Sequence, residues 1–430
     1  MQIYTVTEGD SIYSIANLFG TPASLIISDN ELPDPTALAI GQSLLIRQPT
    51  TVYVASEGDT AASVAERYGI SKSQLWRKNP TLGGRDTIYA GEELVISESS
   101  SPTGPLVTNA YIYPFINTAT LRKTLPYLSY VTIFTYGIRN DGTLIAPGSD
   151  RAEAEIISLA REYGTRPLMM LSTLTEDGTF SNELATYVLS TPEVRDAVIR
   201  NVADTVERMG YDGVDVDFEY IGAENSDAYA LFIADLNSAL KARGDYTVWV
   251  ALAPKSSDTQ PGLIYEGHDY ASLTSAADRA LLMTYEWGYA FGPPQAIAPL
   301  NSVREVVRYA VSKAPPDKYL LGMPNYGYDW KLPYVKGTSE AEALSNAEAP
   351  RRAYLRRARI MYDETASSPY YTYYLDGVEH EVWYEDPRSV YAKAMLIGDE
   401  GLYGAGIWNA MRFFAPLWLI LDGVYDIVKY

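Results

Sequence analysis

A stretch of alternating acidic and apolar residues, Tyr211–Tyr220, constrains the fold of this chain more than any other feature. It reads Tyr-Asp-Gly-Val-Asp-Val-Asp-Phe-Glu-Tyr. Successive side chains on a β-strand point to opposite faces, so Asp215, Asp217 and Glu219 share one face. Carboxyl groups spaced roughly 6.5–7 Å apart repel one another when ionised, and burial raises the pKa of each. Such a row is expected where a fold needs an acid that is still protonated near neutral pH.

A half-buried strand with a solvated acidic face is the alternative, because it has the same alternation. Helical patterns flank the stretch on both sides, over 192–209 and 226–240. A strand between two helices belongs to a parallel sheet, which is covered on both faces and usually continuously apolar. Acids on its inner face are therefore anomalous for packing, and the pattern favours a functional site.

Eight short apolar runs alternate with helical patterns after position 106. They span 107–115, 131–136, 167–173, 213–219, 247–254, 280–287, 319–326 and 402–409. This order predicts an α/β fold, a (β/α)8 TIM barrel with insertions, in which catalytic groups lie at the C-terminal ends of the strands. Glu219 ends the fourth run. A doubly wound open sheet is the alternative, but no Gly-rich phosphate turn follows the first run.

The first 96 residues contain one unit twice. Each copy has a Gly-Asp-Ser/Thr turn and a later asparagine: Gly9, Asp10, Ser11 and Asn30 in the first, and Gly58, Asp59, Thr60 and Asn79 in the second. Each reads as a short strand, an N-cap Ser or Thr, two helical stretches and a closing strand. A tandem structural repeat that binds nothing is the alternative to a pair of binding modules.

A segment rich in Ser, Pro and Gly, 97–105, follows the repeats and predicts a linker. The chain is therefore expected to divide into units 1–48 and 50–96, this linker and a barrel domain, 106–430. An insertion at about 331–386 carries two aromatic runs separated by Asp376-Gly377, a hairpin signal. We expect a small α+β subdomain that forms one side of the barrel mouth. Its aromatic side chains either pack within the subdomain or contact sugar.

The composition of the chain limits the classes of partner and cofactor that it can bind. The formal charge of −20 disfavours nucleic acid and anionic membrane surfaces, and no apolar run approaches the ~20 residues of a membrane span. The chain has no cysteine, which excludes disulfides and thiolate metal sites, and only two histidines. We therefore expect no metal and no other cofactor. The first residues show no basic and apolar segments of a secretory signal.

The repeated units resemble the LysM module, a small βααβ domain that binds polymers containing N-acetylglucosamine. The Gly-Asp-Ser/Thr turn and a Gly-Gln/Glu-x-Leu-x-Ile ending stand in register in both copies. The resemblance implies a sugar groove between 9–12 and 29–32, and a second between 58–61 and 78–82. The glycan-binding candidates are the eight turn and asparagine residues named above. Two weak sites in tandem raise avidity for a polymer when both can engage it.

The run 212–219 resembles the DGxDxDxE signature of glycoside hydrolase family 18. Met283-Thr284-Tyr285, Gly322–Gly327 and Gly406-Ile407-Trp408 resemble the motifs of that family's sixth, seventh and eighth strands. The resemblance spans 106–430 and implies a retaining hydrolase in which the substrate's own acetamido oxygen attacks C1, an exception to the two-carboxylate scheme.

The resemblance also implies roles for individual residues. Glu219 would protonate the glycosidic oxygen, Asp217 would hold the acetamido N–H, and Asp215 would share a proton behind it. Tyr285 would donate to the acetamido oxygen and orient it. Trp408 would form the floor of the sugar-binding site. The further substrate-binding candidates in these motifs are Met283, Glu286, Asn325 and Tyr326.

Two positions depart from chitinases of this family. Residues 171–174 read Leu-Ser-Thr-Leu instead of Ser-x-Gly-Gly, and Glu286 stands where chitinases have Asp. Because of these two departures and the two LysM units, the chain resembles the spore-cortex-lytic N-acetylglucosaminidases of spore-forming bacteria. We therefore expect hydrolysis of peptidoglycan in the spore cortex or its fragments, by a protein associated with the spore or the cell wall. A chitinase and an inactive lectin of the same fold are the alternatives, although Glu219 argues against the lectin. Endo or exo action, a need for muramic lactam and the oligomeric state are left open.

Overall fold

The computed structural model describes residues 1–99, 102–175 and 178–430. The N-terminal part consists of β1 (Gln2–Thr5), α1 (Ile12–Phe19), α2 (Ala23–Asp29), β2 (Ser43–Ile46), β3 (Pro49–Val54), α3 (Ala61–Tyr68), α4 (Lys72–Lys78) and β4 (Glu93–Glu98). The predicted linker overlaps the end of β4, and its residues 100 and 101 lie outside the described residues.

The next part alternates strands and helices. It consists of β5 (Pro105–Ile112), α5 (Thr118–Thr124), β6 (Tyr130–Ile138), β7 (Leu144–Ile145), α6 (Asp150–Glu162), β8 (Arg166–Ser172), α7 (Asn182–Ser190), α8 (Pro192–Met209), β9 (Gly213–Asp217), α9 (Ser226–Lys241), β10 (Thr247–Leu252), α10 (Leu263–Glu266), α11 (Tyr270–Ala276), β11 (Arg279–Leu282), α12 (Leu300–Lys313) and β12 (Tyr319–Pro324).

The last part contains a second sheet before the chain returns to the barrel. It consists of β13 (Gly327–Lys331), β14 (Glu342–Leu344), α13 (Glu348–Leu355), β15 (Met361–Asp363), β16 (Ser368–Leu375), β17 (Val378–Trp383), α14 (Pro387–Asp399), β18 (Gly404–Trp408), α15 (Ala415–Val424) and β19 (Asp426–Ile427). No helix among the described residues is both long enough and apolar enough to cross a membrane.

Both N-terminal units have the predicted βααβ order, and their repeated residues explain why. Gly9 and Gly58 share a φ of 89°, a left-handed conformation that glycine adopts without strain. Ser11 and Thr60 then cap α1 and α3, and each cap side chain accepts from the backbone N–H three residues later. The two strands of each unit pair antiparallel, β1 with β2 and β3 with β4.

Eight parallel strands close into a barrel, which confirms the predicted fold. Their order is β5-β6-β8-β9-β10-β11-β12-β18, and β18 pairs back with β5. Several strands are shorter than the apolar runs that predicted them: β9 ends at Asp217 and β11 at Leu282. The remaining residues of those runs leave the sheet and form the barrel mouth, where polar and aromatic side chains are needed.

The second sheet is antiparallel and lies next to the barrel strands in sequence. Its order is β14-β13-β17-β16-β15, and β13 begins directly after β12. The predicted hairpin is present, since Leu375 pairs with Val378 and both turn residues, Asp376 and Gly377, have positive φ.

The N-terminal units pack on the rest of the chain through buried polar anchors. Arg77, which is 3% exposed, forms an ion pair with Asp422 of α15 at 2.5 Å. Glu31 accepts hydrogen bonds from the Ala415 backbone N–H and from Lys123 Nζ, both at 3.0 Å. The first unit also contributes a side chain, Ala39, to the apolar core of the second sheet. The two units therefore have fixed positions on the barrel.

Candidate active site

The acidic row of β9 points into the barrel. The Asp215 side chain is fully buried and Asp217 is 3% exposed, whereas Glu219 follows the strand and is half-buried at the mouth. The alternate residue Phe218 lies outside the barrel wall, where its ring stacks on Tyr229 and Phe232 of α9 at 5.5 and 5.3 Å. The period-2 pattern therefore separates a polar interior from an apolar layer beneath the helices.

Burial and mutual repulsion set the protonation of the three acids. Burial raises the pKa of Asp215 to about 6, although a 2.7 Å hydrogen bond from the Tyr111 hydroxyl lowers it in part. Burial and the charges of Glu219 and Asp215 raise the pKa of Asp217 well above its usual range. Burial, with the charge of Glu286, raises the pKa of Glu219 to about 7. All three acids therefore have raised pKa values, which is the property that a general acid near neutral pH requires.

An aromatic platform lies beside the acids. Trp408, the last residue of β18, is nearly parallel to the Tyr285 ring, with centroids 6.4 Å apart and planes 16° apart. Phe134 and Tyr111 contact the same indole, with centroids at 5.2 and 5.6 Å. Burial and the charges of Asp217 and Glu219 raise the pKa of Tyr285 well above its usual range. The Tyr285 phenol therefore stays protonated and can donate a hydrogen bond close to these two acids.

Glu286 lies on the mouth side of Tyr285 and has an unusual backbone conformation. Its φ is 65°, which is uncommon for a residue with a side chain. The hydroxyls of Tyr326 and Tyr328 donate to its Oε1, the latter at 3.2 Å. Burial raises the pKa of Glu286, and these two hydrogen bonds lower it in part. Because Tyr328 belongs to β13, the second sheet supports the site directly.

Two further candidates lie close to the platform with different surroundings. Met283 is 8% exposed and packs in the apolar cluster inside the barrel. Asn325 is 5% exposed, and its Nδ2 donates to the carbonyls of Asn409 and Arg412 at 3.1 and 2.9 Å. Asn325 therefore positions the loop that follows Trp408, and its predicted contact with substrate stays a prediction.

The asparagines and aspartates among the eight candidates in the N-terminal units make hydrogen bonds within their own modules. Asn30 Nδ2 donates to the carbonyls of Ile26 and Leu45, and its Oδ1 accepts from the Leu45 N–H. Asn79 makes the same three bonds in the second unit. These asparagines therefore hold the closing strands of both modules. Asp10 and Asp59 likewise bind their own turns.

Both predicted sugar grooves have a segment that lies against another part of the chain. The 29–32 segment of the first unit is anchored to the barrel through Glu31. The 78–82 segment of the second unit faces the first unit across a cavity. Glycan contact by all eight candidate residues stays a prediction.

Sequence reasoning missed three residues that the fold brings to the site: Tyr111, Phe134 and Tyr328. They come from β5, β6 and β13, far from β9 in sequence. The available signal was an aromatic residue on a barrel strand for Tyr111 and Phe134, and one shortly after β12 for Tyr328. Such residues are too common to single out these positions.

The site offers no metal-binding arrangement. Among the described ranges, no group of three or more His, Asp or Glu side chains could hold a metal ion. His268 is fully buried with its ring nitrogens at 3.0 Å from the Ala253 N–H and the Phe218 carbonyl. His380 contacts Asp329 in the second sheet at 2.7 Å. Both histidine side chains therefore make their contacts within the fold.

Comparison with known proteins agrees with this geometry. The family model of the glycosyl hydrolases family 18 matches residues 111–412, and that of the LysM domain matches 4–47 and 53–97. The cortical fragment-lytic enzyme of Bacillus subtilis (strain 168) is 35% identical over 439 residues, covering 100% of this chain and 99% of that protein. The putative sporulation-specific glycosylase YdhD of the same strain is 33% identical over 98% of both.

Solved structures show the same likeness. The crystal structure of the Bacillus megaterium QM B1551 spore cortex-lytic enzyme SleL has a TM-score of 0.83 at 34% identity, covering 100% of this chain and 99% of that one. A chitinase from Chromobacterium violaceum ATCC 12472 matches 74% of this chain and 98% of its own, with a TM-score of 0.69 and 25% identity. The chain therefore belongs to glycosyl hydrolase family 18, as a glycosidase with two LysM domains ahead of its barrel.

Proposed function

We propose that this protein is a retaining β-N-acetylglucosaminidase that hydrolyses the β-1,4 bond after N-acetylglucosamine in peptidoglycan of the spore cortex or its fragments. The observation that carries the proposal is the buried acidic row, which ends in Glu219 with a pKa of about 7. Trp408 and Tyr285 form an aromatic surface beside that row. A proton donor next to a sugar platform is what cleavage of a glycosidic bond requires.

In the proposed reaction Glu219 gives its proton to the glycosidic oxygen, and the bond from that oxygen to C1 breaks. The acetamido oxygen of the same sugar attacks C1 and forms an oxazolinium ion. Asp217 accepts a hydrogen bond from the acetamido N–H and stabilises the positive charge, while the Tyr285 hydroxyl donates to the acetamido oxygen. Water then adds to C1 with Glu219 as the base, and the configuration at C1 is retained.

Asp215 acts through Asp217 in this scheme. Its Oδ2 accepts from Tyr111, and its buried Oδ1 has no hydrogen-bond partner among the described residues. The buried Oδ1 of Asp217 is likewise unpaired. Two neighbouring carboxyl groups with unpaired oxygens can share one proton. Asp217 can therefore become ionised as charge develops on the sugar.

The choice of peptidoglycan rests on the relatives. Those similar along the whole chain are named as cortical fragment-lytic and sporulation-specific enzymes, which supports a location at the spore or the cell wall. The two LysM domains would hold the polymer near the barrel. Chitin hydrolysis is the second candidate, because the barrel also resembles a solved chitinase.

Digestion of purified cortex and of chitin, side by side, tests the proposal. We expect new ends in cortex that mass spectrometry identifies as reducing N-acetylglucosamine, with the β-anomer formed first in the NMR spectrum. Reducing muramic acid would contradict the proposal and indicate a muramidase. Release of N-acetylglucosamine oligomers from chitin without cleavage of cortex would favour the chitinase.

A further inference from the structure

A cavity of about 340 Å³ lies between the two LysM domains, and none of its lining residues belongs to the barrel. This volume falls within the range of about 300–1,000 Å³ found for small-ligand sites. One wall is α2 of the first domain. The opposite wall is formed by β3, β4 and the 78–82 segment of the second domain.

The lining combines apolar and polar side chains. Apolar side chains come from both domains, among them Leu25, Pro49 and Val52. Val52 is 47% exposed. Ser24 of the first domain and Thr81 of the second are exposed residues of the lining that carry hydroxyl groups. Apolar surface with a few hydroxyl groups suits the face of a sugar ring and its hydroxyls.

The charges of the cavity favour a neutral ligand. Arg47 and Asp29 line it, but they pair with each other at 2.7 Å. Arg47 also binds Glu98 at 2.8 Å and the Lys78 carbonyl at 2.9 Å. Four of the five guanidinium N–H donors are therefore already engaged within the protein. Two glutamates of the lining, Glu92 and Glu93, further disfavour a phosphate or carboxylate ligand.

The same arginine joins the two walls of the cavity. Arg47 is 2% exposed and joins α2 of the first domain to β4 and the 78–82 segment of the second. The two walls are therefore fixed relative to each other by a buried ion network before any ligand binds, and preorganisation of this kind lowers the entropic cost of binding.

We infer that the two LysM domains share one glycan site in this cavity, which takes a neutral N-acetylated segment of the polymer. The predicted sugar segments support this reading, because Asp29 of the first and 78–82 of the second meet here. The inference rests on the proposed function for the identity of the polymer. It differs from the expectation of one groove in each domain.

Binding to insoluble peptidoglycan and to chitin, measured by co-sedimentation of the full chain, tests the inference. All variants carry Glu219→Gln so that the polymer stays intact. Ser24→Trp and Thr81→Trp fill the cavity from either side. Glu8→Trp and Glu57→Trp are the matched controls, because these exposed residues precede Gly9 and Gly58 in the two separate grooves. We expect the cavity variants to bind at least about tenfold more weakly and the controls to bind like the parent.

The opposite ranking, equal binding by all variants, or no binding by the parent would overturn the shared site. A second measurement avoids bulky substitutions. Because the chain has no cysteine, Ser24→Cys and Glu8→Cys each introduce one thiol. We expect the N-acetylglucosamine hexamer to slow alkylation at position 24 and not at position 8, and equal rates would contradict the inference.

Failure of the shared site and failure of the proposed function give different results. Hydrolysis of a short soluble substrate by chains that retain Glu219 depends on the barrel alone. Normal hydrolysis with unchanged binding in the cavity variants would reject the shared site and leave the proposed function standing. Loss of binding in those variants, with no cleavage of peptidoglycan by the parent, would reject the proposed function.

Discussion

The proton on Glu219 is held by two separate influences, burial and the negative charge of Glu286. Glu286 is in turn fixed by Tyr326 and Tyr328, so a residue outside the acidic row tunes the acid at its end. These influences act through space and connect three parts of the fold: β9, the segment that follows β11, and the strand β13. They belong to the folded molecule and cannot be read from any single stretch of sequence.

Substitution Glu219→Gln tests the proposed general acid. The amide has the size of the acid but no proton to give, so we expect the fold to persist and kcat to fall by about 10²–10⁴-fold. Circular dichroism and thermal unfolding check the fold, and release of reducing sugar from cortex fragments measures the rate. Activity close to that of the parent would refute the assignment. Glu66→Gln, an exposed change in α3, serves as the control.

Substitution Glu286→Gln tests the electrostatic coupling. A general acid is active while protonated, so kcat/KM declines as pH rises through the Glu219 pKa of about 7. Removing the Glu286 charge removes a cause of the raised pKa. We therefore expect the alkaline limb of the pH–rate profile to move to lower pH, with Glu66→Gln leaving it unchanged. A limb that stays in place would show that burial alone sets the pKa of Glu219.

Helices, strands and turns could be predicted from the sequence where the pattern that specifies them is local. The (β/α)8 order, the βααβ units and the Asp376-Gly377 hairpin follow from alternation, caps and turn residues. The ends of β9 and β11 were predicted too late, because apolar side chains continue into the mouth after the strand hydrogen bonds stop. Asn30 and Asn79 both support the closing strands through hydrogen bonds, a role that repetition alone does not distinguish from sugar binding.

A pair of equivalent glycines tests how the first LysM domain docks. Gly41 and Gly91 both have a φ of 88°. A Cβ on Gly41 would lie 1.9 Å from the Ile360 carbonyl oxygen, whereas one on Gly91 would have no neighbour within 4 Å. Both alanine variants have the same backbone strain. We therefore expect Gly41→Ala to lose about 1–3 kcal/mol more unfolding free energy than Gly91→Ala, measured by denaturant titration. Equal losses would mean that this contact yields easily.

At the scale of the whole molecule, the LysM domains and the barrel are joined by apolar and charged contacts. Trp76 of α4 packs on Tyr163 with ring centroids 5.0 Å apart. The Tyr163 hydroxyl donates to the Gly84 carbonyl at 2.7 Å, and Arg77 pairs with Asp422. The sequence predicted the separate parts but not this interface, because the partners are 79 to 345 positions apart and have no shared pattern.

Substitution Asp422→Asn tests the interface. It leaves the Arg77 guanidinium, 3% exposed, without its carboxylate. Removing one partner of a buried ion pair costs about 3–5 kcal/mol, so we expect a clear drop in the midpoint of thermal unfolding. Glu155→Gln breaks the exposed pair with Arg151 and should leave the midpoint nearly unchanged. Matching midpoints for the two variants would contradict a stabilising interface.

The anchors between the domains also determine which parts of this protein can be exchanged. A LysM pair transplanted to another barrel would carry Arg77 and Glu31 without Asp422, Lys123 and the Ala415 N–H that satisfy them. The donor barrel would in turn expose the apolar surface that Trp76 and Ala39 cover. Chimeras therefore need to be cut so that α15, α5 and the second sheet travel with the repeats.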